Sequence, residues 1–274
     1  MLTIPTYKNK KDLFNFLIEN KDTLIAQKKA SIKHADGFQY FNVINNKSYK
    51  AAKVDNSNDL QEIRVKAVIN TTNWMDSHND VHIPGLWNKS LKENNFIMHI
   101  QEHEMQKFDK IISDGADLKA FTANYTFSEL GINKLGNTQA LIFDSLVKRS
   151  RNEYMFNQYA KGYVNNHSVG MQYVKLGLAI NDSEEVAEFE LWEKYINTIA
   201  NKEIAENKGF FWVVKEAKII EGSAVPLGSN TVTPTIEIEP QKSEPLKDTQ
   251  SKSTQSDIEF LRCLNDKLKS NINN

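Results

Sequence analysis

The stretch EIRVKAVINTT, residues 62–72, sets Ile63, Val65, Ala67 and Ile69 against Glu62, Arg64, Lys66 and Val68. A period of two sends the two sets to opposite faces of an extended chain, so the segment predicts a β-strand with one buried side. Two later stretches read the same way, LKAFTANYTF at 118–127 and MQYVKLGLAI at 171–180. At 210–225, FFWVVKEAKIIEGSAV returns to aromatic and β-branched residues, which suit a pleated, half-buried surface. The core is therefore expected to begin near Leu60.

Helical spacing surrounds these strands. Between Asp12 and Lys33, Leu13, Phe14, Leu17, Leu24 and Ile25 predict a surface helix, with Asp12 placed to cap its first turn. Residues 37–59 are rich in Asn, Lys and Ser and read as irregular chain. In 139–162, Leu141, Ile142, Leu146, Tyr154, Met155 and Tyr159 are spaced to line a core-facing helical stripe, with Gly162 as its stop. From Glu184 to Lys208, Val186, Phe189, Trp192, Ile196 and Ile199 among Glu and Lys predict one long amphipathic helix. Residues 231–257 hold Pro234, Pro240 and Pro245 among Ser, Thr, Lys and Glu, a composition expected to bury too little to fold. Beyond them Ile258, Leu261, Leu264 and Leu268 predict a short amphipathic helix in need of a partner surface. The domain boundaries that follow are an N-terminal arm at 1–59, a main domain at 60–230 with a helical insertion at 184–208, a disordered linker at 231–257 and a terminal helix at 258–274.

Composition narrows the function classes. The 274 residues carry 34 Lys and Arg against 35 Asp and Glu, without the basic excess of a dedicated nucleic-acid or membrane-surface binder. A single cysteine, Cys263, excludes an internal disulfide and a multi-cysteine zinc site, which fits a reducing compartment. No window approaches 18 apolar residues and the N-terminus lacks an apolar h-region, so a soluble intracellular chain is expected.

Three local motifs could carry chemistry. His99-Ile-Gln-Glu102-His103 matches the His-x-x-Glu-His pattern of inverted zinc peptidases; on a helix both imidazoles would share a face and Glu102 would activate the bound water. The competing reading is a packed His99 and a solvated Glu102. The loop Asp76-Ser-His78-Asn-Asp80-Val-His82 gathers carboxylates and imidazoles. It fits no metal-ligand spacing well and reads rather as a turn held by side-chain to backbone bonds. Finally, His167-Ser168-Val169-Gly170-Met171 opens a strand with a small hydroxyl residue, and the glycine permits close backbone approach.

Four widely separated segments together resemble the prohead, or capsid maturation, protease family of tailed phages, related in fold to the herpesvirus assemblins. They are Asp76 to Leu91 with its Asp-rich turn and Pro84-Gly85, His103-Glu104 ahead of FDKIIS at 108–113, His167 to Met171 with Ser168, and Ile220-Glu221-Gly222-Ser223-Ala224-Val225-Pro226 to Asn230. The family's Pro-Ile-Gly after the histidine is absent, which keeps His99 as a second candidate base. The turn after Glu221 is longer than the family pattern. The resemblance spans about Leu60 to Asn230. It implies an α+β fold with a mostly antiparallel, barrel-like sheet flanked by helices. It further implies a serine endopeptidase in which Ser168 attacks the peptide carbonyl, His103 moves its proton and Glu221 orients the imidazole. Arg149 or Arg151 could assist an oxyanion. His167 is expected to face away from its neighbour's hydroxyl. No cofactor or metal is implied. The expected partners are a major capsid protein and a scaffold as substrates, and further copies of this chain through self-association or a homo-oligomer. Direct binding of nucleic acid or membrane is not expected, and the resemblance implies an enzyme that works in the host cytoplasm inside the procapsid. A zinc metallopeptidase and a non-catalytic scaffold protein are the alternatives.

Overall fold

The computed structural model describes residues 3–33, 60–93 and 96–241. The expected irregular stretch 37–59, the residues 242–257 and the C-terminal helix 258–274 lie outside the described residues. Two helices, α1 (Lys10–Glu19) and α2 (Lys21–Ala30), open the chain and lead into a two-residue strand, β1 (Ile32–Lys33). The single helix expected there is two. The cap of α1 is Asn9, whose side chain accepts from the Asp12 N–H, so Asp12 sits inside the first turn.

The alternating stretch folds as β2 (Glu62–Thr71), followed by β3 (Asp80–His82), α3 (Asn88–Glu93), β4 (Met98–Gln101), β5 (Ile111–Asp114) and β6 (Leu118–Thr126). Then come β7 (Asn137–Lys148), α4 (Glu153–Ala160) and β8 (His167–Ile180). Helices α5 (Val186–Tyr195) and α6 (Lys202–Lys208) precede β9 (Phe210–Ala224) and β10 (Thr235–Gln241). The result is α+β with two separate sheets. One is ordered β1-β8-β9-β4-β5, with β3 also on β9 and both β3 and β4 parallel to it; the other is ordered β10-β2-β7-β6 and is antiparallel throughout. The barrel-like sheet is corrected: among the described residues pairing ends at β1 and β5 in one sheet and at β10 and β6 in the other, so no barrel closes there.

The main core lies where the inner faces of the two sheets meet. It joins Ile63, Val65, Leu141 and Phe143 of the antiparallel sheet to Val169, Met171 and Ile219 of the mixed one, with Phe156 and Tyr159 of α4. Strand β7 replaces a helix expected over that segment. Leu141 and Phe143 face this core while Ala140 and Ile142 fill a second cluster on the sheet's other side. A strand buried on both faces loses the polar alternation that would have marked it.

The segment 231–257 also begins differently from the expectation. Val232 and Thr233 are buried, and β10 pairs antiparallel with β2, with Ile238 in the core. An edge strand needs few apolar residues and tolerates Pro240. The long helix expected over 184–208 is broken by a 3-10 turn at Ile196–Thr198 and by Asn201, whose amide bonds both the Met75 N–H and its carbonyl. The N-terminal helices are part of the folded body, with Phe14, Leu17 and Leu24 packed against Leu178, Ile180, Phe210 and Trp212.

Candidate active site

Strands β8 and β9 form a long antiparallel pair, and its register decides which side chains meet. Ser168 lies opposite Ser223 and Gly170 opposite Glu221, while on the other flank of β9 Ile100 lies beside Ser223. Alternation puts Ser168, Gly170, Glu221 and Ser223 on one face and His167, Val169 and Gly222 on the other. Gly222 lies against the Phe143 ring of the second sheet, so its face is the inner one and the serine face is turned away from that sheet.

His103 reaches the same face by a turn. After β4 the Glu102 N–H bonds the Ala224 carbonyl at 3.0 Å, and Glu102 and His103 both adopt left-handed φ, 53° and 59°. The turn folds the histidine back over β9. Its backbone N–H donates to Ser223 Oγ at 3.0 Å, and its ring Nδ1–H donates to Glu221 Oε1 at 2.6 Å. Glu221 is fully buried, and its carboxylate accepts from the His103 ring at Oε1 and from the Ser223 hydroxyl at Oε2, 2.7 Å away. The structure thus brings together two of the three expected residues in direct contact and sets the third, Ser168, across one strand pair. Opposed Cβ atoms in such a pair are about 5 Å apart, and Ser168 is itself nearly buried.

The room left by Gly170 has a definite occupant. A Cβ there would stand 2.0 Å from Glu221 Oε1 and 2.8 Å from its carboxyl carbon. The close approach that the glycine permits is that of the Glu221 carboxylate. Arg149 and Arg151, considered as oxyanion helpers, are engaged elsewhere: Arg149 bonds the Leu60 carbonyl, Glu153 and Asn157, and Arg151 holds Asp114 with two nitrogens.

The zinc reading fails on geometry. His99 is on β4, not on a helix, and it points to the inner face, away from His103. Its Nδ1 lies 2.8 Å from Ser145 Oγ and its Nε2 lies 3.0 Å from the Tyr159 hydroxyl. The same hydroxyl is 2.9 Å from His167 Nε2, and His167 Nδ1 is 2.9 Å from the Thr233 carbonyl. A carbonyl only accepts, so His167 carries its proton on Nδ1, Tyr159 donates to His167, His99 donates to Tyr159, and Ser145 donates to His99. The chain is satisfied with both imidazoles neutral. Burial pushes His99 well below its ordinary value, with the neighbouring His167 adding to the effect, and burial pushes His167 down to about 4. This places His99 outside the role of candidate base, and His167 faces inward as expected.

The Asp76 to His82 loop is a buried polar turn. Asp76 Oδ1 accepts the His78 and Asp80 N–H groups at 2.8 and 3.0 Å. Asp76, Asp80 and His82 could offer a metal ligand atoms within 4.8 Å of one another. The loop already holds a cation of its own: Lys28 Nζ from α2 lies 2.7 Å from Asp80 Oδ1, and the Tyr173 hydroxyl bonds Oδ2. Lys28 also lies over the Tyr173 and Trp212 rings. Lys28 did not stand out in the sequence, and Tyr159 stood out only as a core-facing position, because the polar partners of each lie on other elements.

An open cavity of about 410 Å³ adjoins the C-terminal end of β4, lined by Gln101, Lys110, Arg151, Asn152 and Tyr154 among others. No protein-family model, curated protein or solved structure matches the chain.

Proposed function

We propose that this chain is a serine endopeptidase of the prohead maturation type, with Ser168 as nucleophile, His103 as general base and Glu221 as the group that orients the imidazole. The observation that carries the proposal is the 2.6 Å contact between His103 Nδ1 and a fully buried Glu221, on the sheet face that also bears Ser168. With Nδ1–H committed to the carboxylate, the basic lone pair of the ring is on Nε2. That nitrogen would take the Ser168 proton as Oγ attacks a peptide carbonyl and return it to the leaving amine, while Glu221 balances the imidazolium charge. The resemblance to capsid maturation proteases supplies the substrate class: scaffold and major capsid protein, and the chain itself.

Labelling with a fluorophosphonate probe tests the chemistry. The purified chain should gain one adduct, mapped to Ser168, and Ser168→Ala should gain none. His103→Ala should label at least about 10³-fold more slowly, given the usual cost of losing a member of such a set. Equal labelling of wild type and Ser168→Ala would overturn the assignment, and no labelling of either would favour a non-catalytic scaffold protein. Co-expression with a phage capsid protein then tests the substrate, because cleavage should appear with wild type and not with Ser168→Ala.

A further inference from the structure

The serine opposite the nucleophile is the one site group for which the sequence suggested no role. Ser223 is fully buried and has two hydrogen bonds, each to a different part of the proposed machinery. Its Oγ accepts the His103 backbone N–H at 3.0 Å and donates to Glu221 Oε2 at 2.7 Å. The other carboxylate oxygen accepts the His103 ring proton at 2.6 Å. The four groups close a ring: His103 main chain, Ser223 hydroxyl, Glu221 carboxylate, His103 imidazole.

Two features show that this ring does more than satisfy polar atoms. Glu102 and His103 are consecutive non-glycine residues in the left-handed region, a conformation that costs about 1–2 kcal/mol per residue and persists only where surroundings hold it. The bond from the His103 N–H to Ser223, with that from the Glu102 N–H to Ala224, is what pins the turn to β9. Second, a carboxylate bound at one oxygen only can swing about its last torsion, which is broad. The Ser223 hydroxyl on Oε2 fixes the plane of the carboxylate, and with it the direction from which Oε1 meets Nδ1.

We infer that Ser223 is a positioning residue that sets both halves of the His103–Glu221 pair, gripping the base by its main chain and the acid by its second oxygen. The inference rests on the proposed function for its consequence in catalysis, but the geometry it describes is measurable without any substrate. Ser168 needs no part in that measurement.

The test combines labelling with a spectroscopic readout. In wild type the Nδ1 proton of His103, assigned by its absence in His103→Ala, should give a far-downfield proton resonance that exchanges slowly. Ser223→Ala should weaken or abolish that resonance and slow fluorophosphonate labelling by about 10- to 100-fold, the range set by one hydrogen bond to a charged group. In a Glu221→Gln background the same serine substitution should have little further effect on labelling, because Ser223 acts through the acid. An unchanged Nδ1 resonance in Ser223→Ala, or additive losses in the double variant, would overturn the role of Ser223. Should Ser223→Ala fail to fold, wild type alone decides: a slowly exchanging Ser223 hydroxyl proton close to the His103 amide proton supports the ring, and a rapidly exchanging one refutes it. Failure of the enzymatic reading is distinct, since the resonance would then respond to Ser223→Ala while Ser168→Ala and wild type behaved alike toward the probe.

Discussion

At the scale of single residues, the tightest steric constraint on the site falls on Gly170. Its φ is not in the left-handed region, so alanine there brings no backbone strain, and the cost is confined to a Cβ placed 2.0 Å from Glu221 Oε1. Gly170→Ala should therefore fold but displace the carboxylate from His103, slowing fluorophosphonate labelling by at least about 100-fold. Labelling at the wild-type rate would show that the carboxylate moves aside without consequence. The residues of the site were unevenly legible in the sequence. Ser168, His103 and Glu221 could be named because a resemblance supplied their order along the chain, although 118 residues separate the histidine from the glutamate. The choice of His103 over His99 was not legible. It depends on β4 ending at Gln101 and on two left-handed residues that turn the chain to the outer face. The role of Ser223 was hidden for a related reason, since its partners are fixed by strand register.

Among the elements, strands with one polar face announced themselves, as in β2 and in the 171–180 part of β8, whereas β7 was misread as helix because both of its faces are buried. Strands β3, β4 and β5 have three or four residues each and are held by partners distant in sequence, so no local pattern marks them. The N-terminal arm was legible as helical but its attachment was not. That attachment centres on Lys28, whose ammonium meets Asp80, fully buried at the start of β3. Removing one partner of a buried ion pair leaves the other charge without its counterion, which typically costs about 3–5 kcal/mol. Lys28→Ala should lower the unfolding free energy by about 3 kcal/mol in urea denaturation, and adding Asp80→Asn should recover part of the loss. A single variant within about 0.5 kcal/mol of wild type, the scatter of ordinary surface changes, would mean that the Lys28–Asp80 pair adds little to the attachment of α2.

For the molecule as a whole, the buried chain Ser145–His99–Tyr159–His167–Thr233 ties the two sheets and α4 together, and it does so with neutral imidazoles. In the unfolded chain a histidine titrates near 6.5, while His167 in the folded protein is pushed down to about 4 by burial, against the opposing pull of the Thr233 carbonyl. Between those values the unfolded state binds more protons, so stability present above pH 6.5 is lost as pH falls toward 4, by roughly 3 kcal/mol for His167. His99, also held below its ordinary value by burial and by His167, adds to the loss in the same direction. Urea midpoints from pH 7 to 4.5 should fall more steeply for wild type than for His167→Asn, which cannot titrate; equal slopes would assign acid sensitivity to other groups.

The proposed self-processing also concerns the whole chain, and the fold limits where it can occur. The proline- and serine-rich stretch begins at Thr231, but β10 takes Thr235–Gln241 into the sheet beside β2, where the backbone is committed to ladder hydrogen bonds. A protease cleft binds its substrate extended, so a peptide bond inside a paired strand is accessible only after that strand detaches. The sequence 242–257, KSEPLKDTQSKSTQSD, has one leucine and no aromatic residue, a composition that offers no core to undo before cleavage. Cleavage by Ser168 is therefore expected between Gln241 and Ile258, releasing the segment that carries Leu261, Leu264 and Leu268 and leaving β10 in place. Intact mass measured over time on wild type beside Ser168→Ala reads this directly. Wild type should lose a C-terminal fragment beginning within 242–258, and Ser168→Ala should keep Asn274. A cut inside 235–241 would mean that β10 detaches before cleavage, and the same cut in both chains would assign it to a contaminating protease.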